Sequence, residues 1–224
     1  MYLAMYEMNA EGPPFGNIKK YEVATETNSL TGVEVGTVLD ATKTPALDSN
    51  NQIKDSAKSY WSSEADGKQV TKGGAGEVLL RRAEPRKLFT NLGDPNLTAA
   101  SNAFTTENQK ITPKMLGLTR WNALERERLI RFVHGYDSYS STRAAGTALQ
   151  KRKWILGAIV NSRPLVIPYE NGKSVIVVGA NDGMLHAFDD VTGEELWGFI
   201  PDEFLSQLRN ITTGSGLRYS VDGS

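Results

Sequence analysis

Residues 163–200 read RPLVIPYENGKSVIVVGANDGMLHAFDDVTGEELWGFI, and they carry the clearest secondary-structure pattern in the chain. Three turn-forming dipeptides divide it into short runs rich in β-branched and aromatic residues: Asn171-Gly172, Asp182-Gly183 and Thr192-Gly193. Asn-Gly and Asp-Gly supply the positive φ angles that tight hairpin turns require. The spacing therefore predicts four antiparallel strands, at Pro164–Ile167, Ser174–Gly179, Met184–Phe188 and Glu194–Ile200.

The same stretch predicts the fold class, because four strands with three short turns in about 40 residues match one blade of a β-propeller. Upstream, weaker patterns predict an irregular first blade built from Tyr2–Tyr6, Asn17–Val23, Val33–Leu39 and Arg86–Thr90. The polar, glycine-rich segment 48–76 is expected to be mostly loop, anchored to the body of the protein by Trp61. The predicted fold class is all-β with a minor inserted helix, as a partial β-propeller.

Residues 112–135 have helical rather than strand periodicity, with a proline near the start and Gly135 at the end. Glu127 and Arg131 stand at the i, i+4 spacing of a favourable ion pair. The basic run 142–153 is expected to be a solvated linker. These patterns divide the chain into an irregular first blade with loop insertions (1–110), an inserted helix with its linker (111–153), and a regular blade with the start of the next (154–224).

Composition excludes several classes of protein. The 224 residues are 39% hydrophobic and 23% charged, as in ordinary globular proteins, and their formal net charge is −1. A charge so close to zero gives no field that selects nucleic acid or an acidic membrane. The absence of cysteine excludes disulfides and thiolate metal sites, and two histidines leave little material for a zinc site.

The two ends of the sequence resemble interrupted β-structure. Residues 1–7 lack the features of a signal peptide, and no stretch reaches the roughly 20 apolar residues of a membrane-spanning helix. We therefore expect a fragment of a longer protein, with a propeller that is open because it is truncated. Exposed strand edges favour aggregation, so the isolated chain is expected to be poorly soluble or partly molten.

His186 is the strongest candidate for chemistry, because it lies in the third strand of the blade near several carboxylates. These are Asp182, Asp189, Asp190, Glu194 and Glu195. A histidine beside carboxylates can act as a general base, but no serine elbow or oxyanion-type glycine loop accompanies it. The favoured interpretation is a structural histidine of a β core. Acids beside a turn can also attract calcium, although flanking a turn is their usual role, so no catalytic, cofactor-binding or metal-binding residue is assigned.

Two loops carry partial ligand-site patterns. Residues 48–52 (DSNNQ) have oxygen ligands at alternate positions, as a calcium loop begins, but the central glycine is missing and Ser59 stands where the acid belongs. The run Gly73-Gly74-Ala75-Gly76 is not followed by the Lys-Ser or Lys-Thr of a phosphate loop. It is expected to be a plain loop.

A set of motifs lies in order along the chain. The longest are residues 179–188 (GANDGMLHAF) and 192–201 (TGEELWGFIP), and the shorter ones are GNIKKY (16–21), SYW (59–61), RKLFT (86–90), WILG (154–157), NSRP (161–164) and YSVDGS (219–224). Together they resemble the PilC/PilY family, the tip-associated adhesins and assembly factors of type IV pili. The chain departs from the family pattern at Ala158 and Asn161, where an aspartate and a histidine are usual, so their polar contacts are not carried over.

The resemblance implies a role in type IV pilus assembly, surface attachment and twitching motility, through protein–protein binding and without enzymatic activity. It implies export to the pilus tip, cell surface or outer membrane. The implied partners are minor pilins of the pilus tip and host-cell surfaces, with no nucleic acid and no membrane insertion. Calcium is implied for the parent protein, but the family's aspartate-rich calcium loop has no match here, so no cofactor is assigned to this fragment.

The blade is also similar to the repeats of quinoprotein dehydrogenases, in which Asp-Gly, an Ala-Phe strand and Thr-Gly-Glu-x-x-Trp recur. The alternative function is therefore a fragment of a pyrroloquinoline-quinone-type propeller oxidoreductase. Such enzymes repeat the motif in most blades, whereas this chain carries it once. A propeller scaffold without a role in pili is a third interpretation that the residues leave open.

Overall fold

Strands are the main elements of the computed structural model, which describes residues 1–10, 12–118, 122–140, 149–213 and 221–223. The strands are β1 (Tyr2–Glu7), β2 (Phe15–Lys20), β3 (Glu22–Val23), β4 (Val38–Leu39), β5 (Leu88–Thr90), β6 (Leu165–Pro168), β7 (Ser174–Gly179), β8 (Leu185–Asp189) and β9 (Glu195–Ile200). The helices are α1 (Gly74–Arg81), α2 (Ala123–Val133) and α3 (Asn210–Thr213), with 3₁₀ turns at Ala100–Asn102 and Asp202–Gln207. The prediction of a mostly β protein with few helices is confirmed.

The four predicted strands form an antiparallel array in which β6, β7, β8 and β9 lie side by side in chain order. Each strand starts and ends within one residue of its predicted position. Gly172, Gly183 and Gly193 have φ angles of 76°, 85° and 71°. These are the left-handed conformations that the predicted turns require, so local turn chemistry accounts for this part of the fold.

A fifth strand, β5, joins the sheet in parallel beside β9, with Phe89 opposite Phe199. The prediction that Arg86–Thr90 belongs to an amino-terminal blade is therefore wrong. Three residues carry too short a pattern to specify a partner strand. Contact with a distant strand decides the pairing, and Gly198 makes room for it, since a Cβ there would lie 2.7 Å from the side chain of Leu88.

The amino-terminal strands form two small sheets. β1 and β2 pair antiparallel along six residues each, which confirms the prediction that the first two strands pair. The expected strand Val33–Leu39 is reduced to β4, which pairs with β3 in a separate two-stranded sheet. Residues 24–36 instead form turns and isolated bridges, because Gly32 and Gly36 adopt φ angles of 71° and 86°.

The inserted helix is shorter than predicted. Helix α2 begins at Ala123, where the side chain of Asn122 accepts a hydrogen bond from the backbone N–H of Glu125 at 3.0 Å. Residues 113–117 form turns, since Gly117 has a φ of 66° that no α-helix continues. The end is as predicted, because Gly135 has a φ of 96°, and Glu127 forms the expected ion pair on the exposed side of α2.

Helix α1 was not predicted, because its sequence begins with glycines, which have low helix propensity. The structure explains one of them, since a Cβ on Gly76 would lie 2.0 Å from the Trp154 ring. Close packing on that ring therefore stabilises the helix. The run 73–76, expected to be a plain loop, instead contains the first turn of α1.

The basic run 142–153 is described only from residue 149 onward, and residues 219, 220 and 224 of the YSVDGS motif also lie outside the described residues. In the described part the prediction of a solvated linker is wrong for Arg152. Its guanidinium carbon lies 4.2 Å from the centre of the Phe132 ring. Burial, followed by repulsion from Arg86, lowers the pKa of Arg152 to about 10.

Two apolar clusters cover one face of the five-stranded sheet. One packs Ile176, Val178 and Phe188 against residues of β2, α1 and the segment 154–159. The other packs Leu88 and Ile200 against α2 and the residues that follow β9. Helices α1 and α2 and the amino-terminal hairpin therefore pack on the same face of the sheet.

Candidate functional site

A chain of buried charged side chains, named here the ionic cluster, consists of Arg86, Asp182, His186 and Glu195. Arg86 binds Glu195 through two bonds, Nε to Oε2 at 2.6 Å and Nη2 to Oε1 at 2.5 Å. The His186 ring places Nδ1 2.8 Å from Oε1 of Glu195 and Nε2 3.1 Å from Oδ1 of Asp182. The side chains of Arg86 and His186 are fully buried, and those of Glu195 and Asp182 are 3% and 6% exposed.

The geometry of the β8–β9 pair brings the histidine and the glutamate together. His186 lies opposite Gly198, whose missing side chain leaves space above the strand. The register shifts between Ala187 and Phe188, so that Phe188 lies opposite Glu195. A shift of this kind turns a side chain to the other face of a strand. It places the Glu195 carboxylate on the buried face that already carries His186.

Both ring nitrogens of His186 face carboxylate oxygens, which indicates its charge state. A neutral imidazole has one N–H, so two such contacts fit the doubly protonated imidazolium. Burial lowers the pKa of His186, but Asp182 and Glu195 outweigh it and raise the pKa to about 9. Burial alone would raise the pKa of the Glu195 carboxyl, but Arg86 and His186 outweigh burial and hold this pKa well below its usual range. The cluster therefore pairs two cations with two anions at neutral pH.

The ionic cluster connects distant parts of the chain. Nη1 of Arg86 donates to the carbonyl of Val133 at the end of α2, at 2.8 Å. Oδ2 of Asp182 accepts from the backbone N–H of Gly157 at 3.0 Å. The cluster thus ties α2, β8, β9 and the segment 154–159 into one unit. The charged side chains of the cluster are buried, and the structural interpretation of His186 stays a prediction.

A second buried group, named here the lysine cluster, consists of Asn17, Lys19, Ser59, Ser62 and Asp66. Nζ of Lys19 lies 3.0 Å from Oδ2 of Asp66, and both side chains are fully buried. Nζ also donates to the carbonyls of residues 66 and 67 at 3.0 and 2.8 Å. The hydroxyls of Ser59 and Ser62 donate to the same Oδ2 at 2.8 and 2.9 Å. Burial is the main cause that lowers the pKa of Lys19.

Asn17 extends the lysine cluster to helix α1. Its side-chain oxygen accepts from the backbone N–H of Gly76 at 3.0 Å, and its amide donates to the carbonyls of Val70 and Gly73 at 2.8 and 3.0 Å. The GNIKKY motif therefore holds the loop 66–73 and the start of α1 on strand β2.

Trp61 anchors its loop to the sheet, as predicted. The residue is 5% exposed, and a Cβ on Gly193 would lie 2.6 Å from its ring. The Asp190 carboxylate beside it lies 2.6 Å from Nζ of Lys20 and accepts a hydrogen bond from the Tyr2 hydroxyl at 2.5 Å. The β8–β9 turn is thereby bound to the amino-terminal hairpin.

The other candidate residues have structural contacts. Asp189 accepts hydrogen bonds from the backbone N–H groups of Val191 and Thr192, both at 2.9 Å, and Glu194 is exposed. Asp48 accepts from the backbone N–H groups of residues 50 and 52 at 2.8 and 3.0 Å, which makes a turn. Across the described residues no group of three or more His, Asp or Glu side chains is placed to hold a metal ion.

One open groove, of about 830 Å³, borders the ionic cluster. It lies between helix α1 and the β8–β9 turn, and its walls include Arg81, Lys87, Glu194 and Leu196. Basic and acidic side chains both line it, so it presents no single charge to a ligand.

Sequence reasoning identified His186 but missed Arg86, Lys19 and Asp66. Arg86 and Lys19 lie inside the motifs RKLFT and GNIKKY, so membership of these motifs is the sequence feature that could indicate their importance. Asp66 lies in a loop that no pattern distinguished. Pairing between such residues depends on contacts across 47 to 109 positions of the chain, which local patterns do not encode.

The fold and the two clusters define a class of protein, a β-sheet protein in which buried charges join strands, helices and loops. In the described ranges no helix has the length and apolar character needed to cross a membrane.

The chain is 34% identical over 146 residues to the type IV pilus biogenesis factor PilY1 homolog of Xylella fastidiosa. The match covers 54% of this chain and 12% of that much longer protein. This similarity confirms the predicted resemblance to the PilC/PilY family. No family model matches the chain, and no solved structure gives a significant match.

Proposed function

We propose that this chain is part of a type IV pilus biogenesis factor and acts through protein–protein binding rather than catalysis. The observation that carries the proposal is the 34% identity over 146 residues to the Xylella fastidiosa protein. The positions of the motifs support it, because RKLFT and the motifs of residues 179–201 supply the ionic cluster, and GNIKKY and SYW supply Asn17, Lys19 and Ser59 of the lysine cluster. The resemblance thus involves residues that hold the interior together.

The proposed architecture is a β-propeller in which the five-stranded sheet is one blade. The sheet face opposite the two apolar clusters supports this, because it is apolar and incompletely covered. Leu165 and Ile167 on β6 are 61% and 37% exposed, and Val177, Leu185 and Phe199 on the same face are half-buried. A further sheet packed on this face would cover it, as neighbouring blades do in a propeller. The division of the chain into an amino-terminal blade, an inserted helix and a second blade that now includes β5 is part of this proposal.

The remaining parts of the proposal follow from the family. The whole protein is exported to the pilus tip or cell surface, supports attachment and twitching motility, and binds minor pilins and host-cell surfaces. We propose calcium for the whole protein, bound by the family's aspartate-rich loop, to which the sequence of this chain has no match.

Gene deletion with complementation in the native bacterium tests the proposal. We expect deletion to reduce the pilin sheared from the cell surface and to abolish twitching, and the intact gene to restore both. A gene carrying Glu195→Gln, which breaks the ionic cluster, should fail to restore them. Glu194→Gln changes the exposed neighbour in the same way and should restore them fully.

Wild-type pili and twitching in the deletion strain would overturn the proposal. Loss of a quinone-dependent dehydrogenase activity in that strain, with pili unchanged, would favour the oxidoreductase alternative. If both variants fail to complement at normal protein levels, the loss of function is not specific to the ionic cluster, because Glu194 lies outside it.

A further inference from the structure

Residues 160–162 present three consecutive backbone N–H groups to one carboxylate, that of Asp222. The N–H of Val160 lies 2.8 Å from Oδ2, and that of Ser162 lies 2.7 Å from Oδ1. The N–H of Asn161 reaches Oδ1 at 2.9 Å and Oδ2 at 3.1 Å. Successive amides that converge in this way form a concave site for an anion.

A side chain completes this set of donors. Nδ2 of Asn181, at the β7–β8 turn, donates to Oδ2 of Asp222 at 3.1 Å. Asp222 is only 3% exposed, so its charge is stabilised by neutral amide donors instead of by water. Hydrogen bonds from amides to an ionised carboxylate are stronger than those between neutral groups. The three backbone donors lie 60 to 62 positions before Asp222 in the chain, and Asn181 lies 41 positions before it.

The backbone beside Asp222 gives a second, independent observation. A Cβ on Gly179 would lie 1.9 Å from the carbonyl oxygen of Val221, so only glycine at the end of β7 lets this segment approach. The N–H of Gly223 donates to Oγ of Ser162 at 2.9 Å. Residues 221–223 therefore pack between Gly179 and the loop 160–162, in a groove named here the docking slot.

We propose that residues 160–162 and the amide of Asn181 form a carboxylate-binding site, and that Asp222 is its internal ligand. The contact acts as a latch that docks residues 221–223 on the end of β7. Asn161 contributes only its backbone N–H, so its departure from the family pattern does not affect the site. The inference is independent of the proposed role in pili.

Amide hydrogen exchange of the full chain tests the latch. In Asp222→Asn and Asp222→Ala, we expect exchange at residues 160–162 and 223 to accelerate at least tenfold, while the amides of β8 stay protected. Asp202→Asn, an exposed aspartate in the 3₁₀ turn after β9, is the matched control and should leave these rates unchanged. Unchanged protection at 160–162 in both variants would overturn the proposal. Equal loss across β8 would also overturn it, because Asp222 would then support the whole fold.

Formate tests the site as a carboxylate receptor. Added to Asp222→Ala, it should restore protection at residues 160–162 with saturation, whereas chloride at the same ionic strength should not. A faster exchange that formate does not reverse would overturn the binding site. Gly179→Ala should release residue 223 even with Asp222 intact, and unchanged protection there would contradict the docking slot.

Discussion

The ionic cluster and the lysine cluster are both buried, but they stabilise their charges in different ways. In the ionic cluster each charged group depends on another charge, since Glu195 serves both Arg86 and His186. In the lysine cluster neutral groups share the task, because carbonyls surround Lys19 and hydroxyls surround Asp66. A buried charge that loses its only charged partner destabilises the fold strongly, whereas a buried charge that keeps neutral hydrogen-bond partners destabilises it less. The two clusters should therefore respond differently to the removal of one member.

The largest effect is expected at Glu195, the centre of the ionic cluster. Glu195→Gln leaves Arg86 and His186 without their shared counter-ion, and we expect the free energy of unfolding to fall by about 3–5 kcal/mol. Denaturant titration of the purified chain measures the loss, and a cooperative transition there would contradict the expectation that the isolated chain is partly molten. Glu194→Gln, at the exposed neighbouring position, should change the free energy by less than about 0.5 kcal/mol. A loss of the same size in both variants would contradict the role of the cluster.

A smaller effect is expected at Lys19. Lys19→Met leaves Asp66 with the Ser59 and Ser62 hydroxyls and the backbone N–H of Ser59. We expect the free energy of unfolding to fall by about 2–3 kcal/mol, which is less than at Glu195. The loss is smaller because Asp66 keeps these hydrogen bonds, and each bond to an ionised carboxylate is worth about 1.5–3 kcal/mol. Lys20→Met, which removes the half-exposed pair with Asp190, is the control and should cost about 1 kcal/mol or less. If Lys19→Met costs more than Glu195→Gln, the distinction between the clusters is wrong.

The smallest effect concerns pH. His186 has a folded pKa of about 9, above its ordinary 6.5, so its contribution is complete below pH 6.5 and is lost as pH rises through 9. Burial is the main cause that lowers the pKa of His134 to about 4, so its contribution is lost as pH falls from 6.5 towards 4. We expect the free energy of unfolding to peak near pH 6.5 and to fall by about 1–2 kcal/mol up to pH 9.

Equilibrium unfolding at a series of pH values measures this profile. In His186→Gln the fall between pH 6.5 and 9 should flatten, while the fall on the acid side persists. An alkaline fall of the same slope in this variant would show that another group causes it.

Local patterns predict local structure well in this protein. The predicted bounds of β6–β9 agree with the structure to within one residue, because Asn-Gly, Asp-Gly and Thr-Gly impose backbone angles on their own neighbours. It failed at β5 and α1, whose signals were weak and whose partners are distant. The parallel pairing of β5 with β9 spans about 110 residues, as Leu88 lies opposite Gly198. The candidate site divides in the same way, since His186 was recognised but Arg86 and the full partner set were not.

Local sequence patterns account for strands β6–β9, the three turns between them, the end of helix α2 and the motifs that resemble the PilC/PilY family. Long-range packing determines which strand lies beside β9, the helical conformation of glycines 74 and 76, and the partners of Arg86, His186 and Asp222. The physical reason is the range of the forces involved. Turn angles and strand alternation act over a few residues, whereas a buried charge needs a partner that only the complete packing of the chain brings within hydrogen-bond distance.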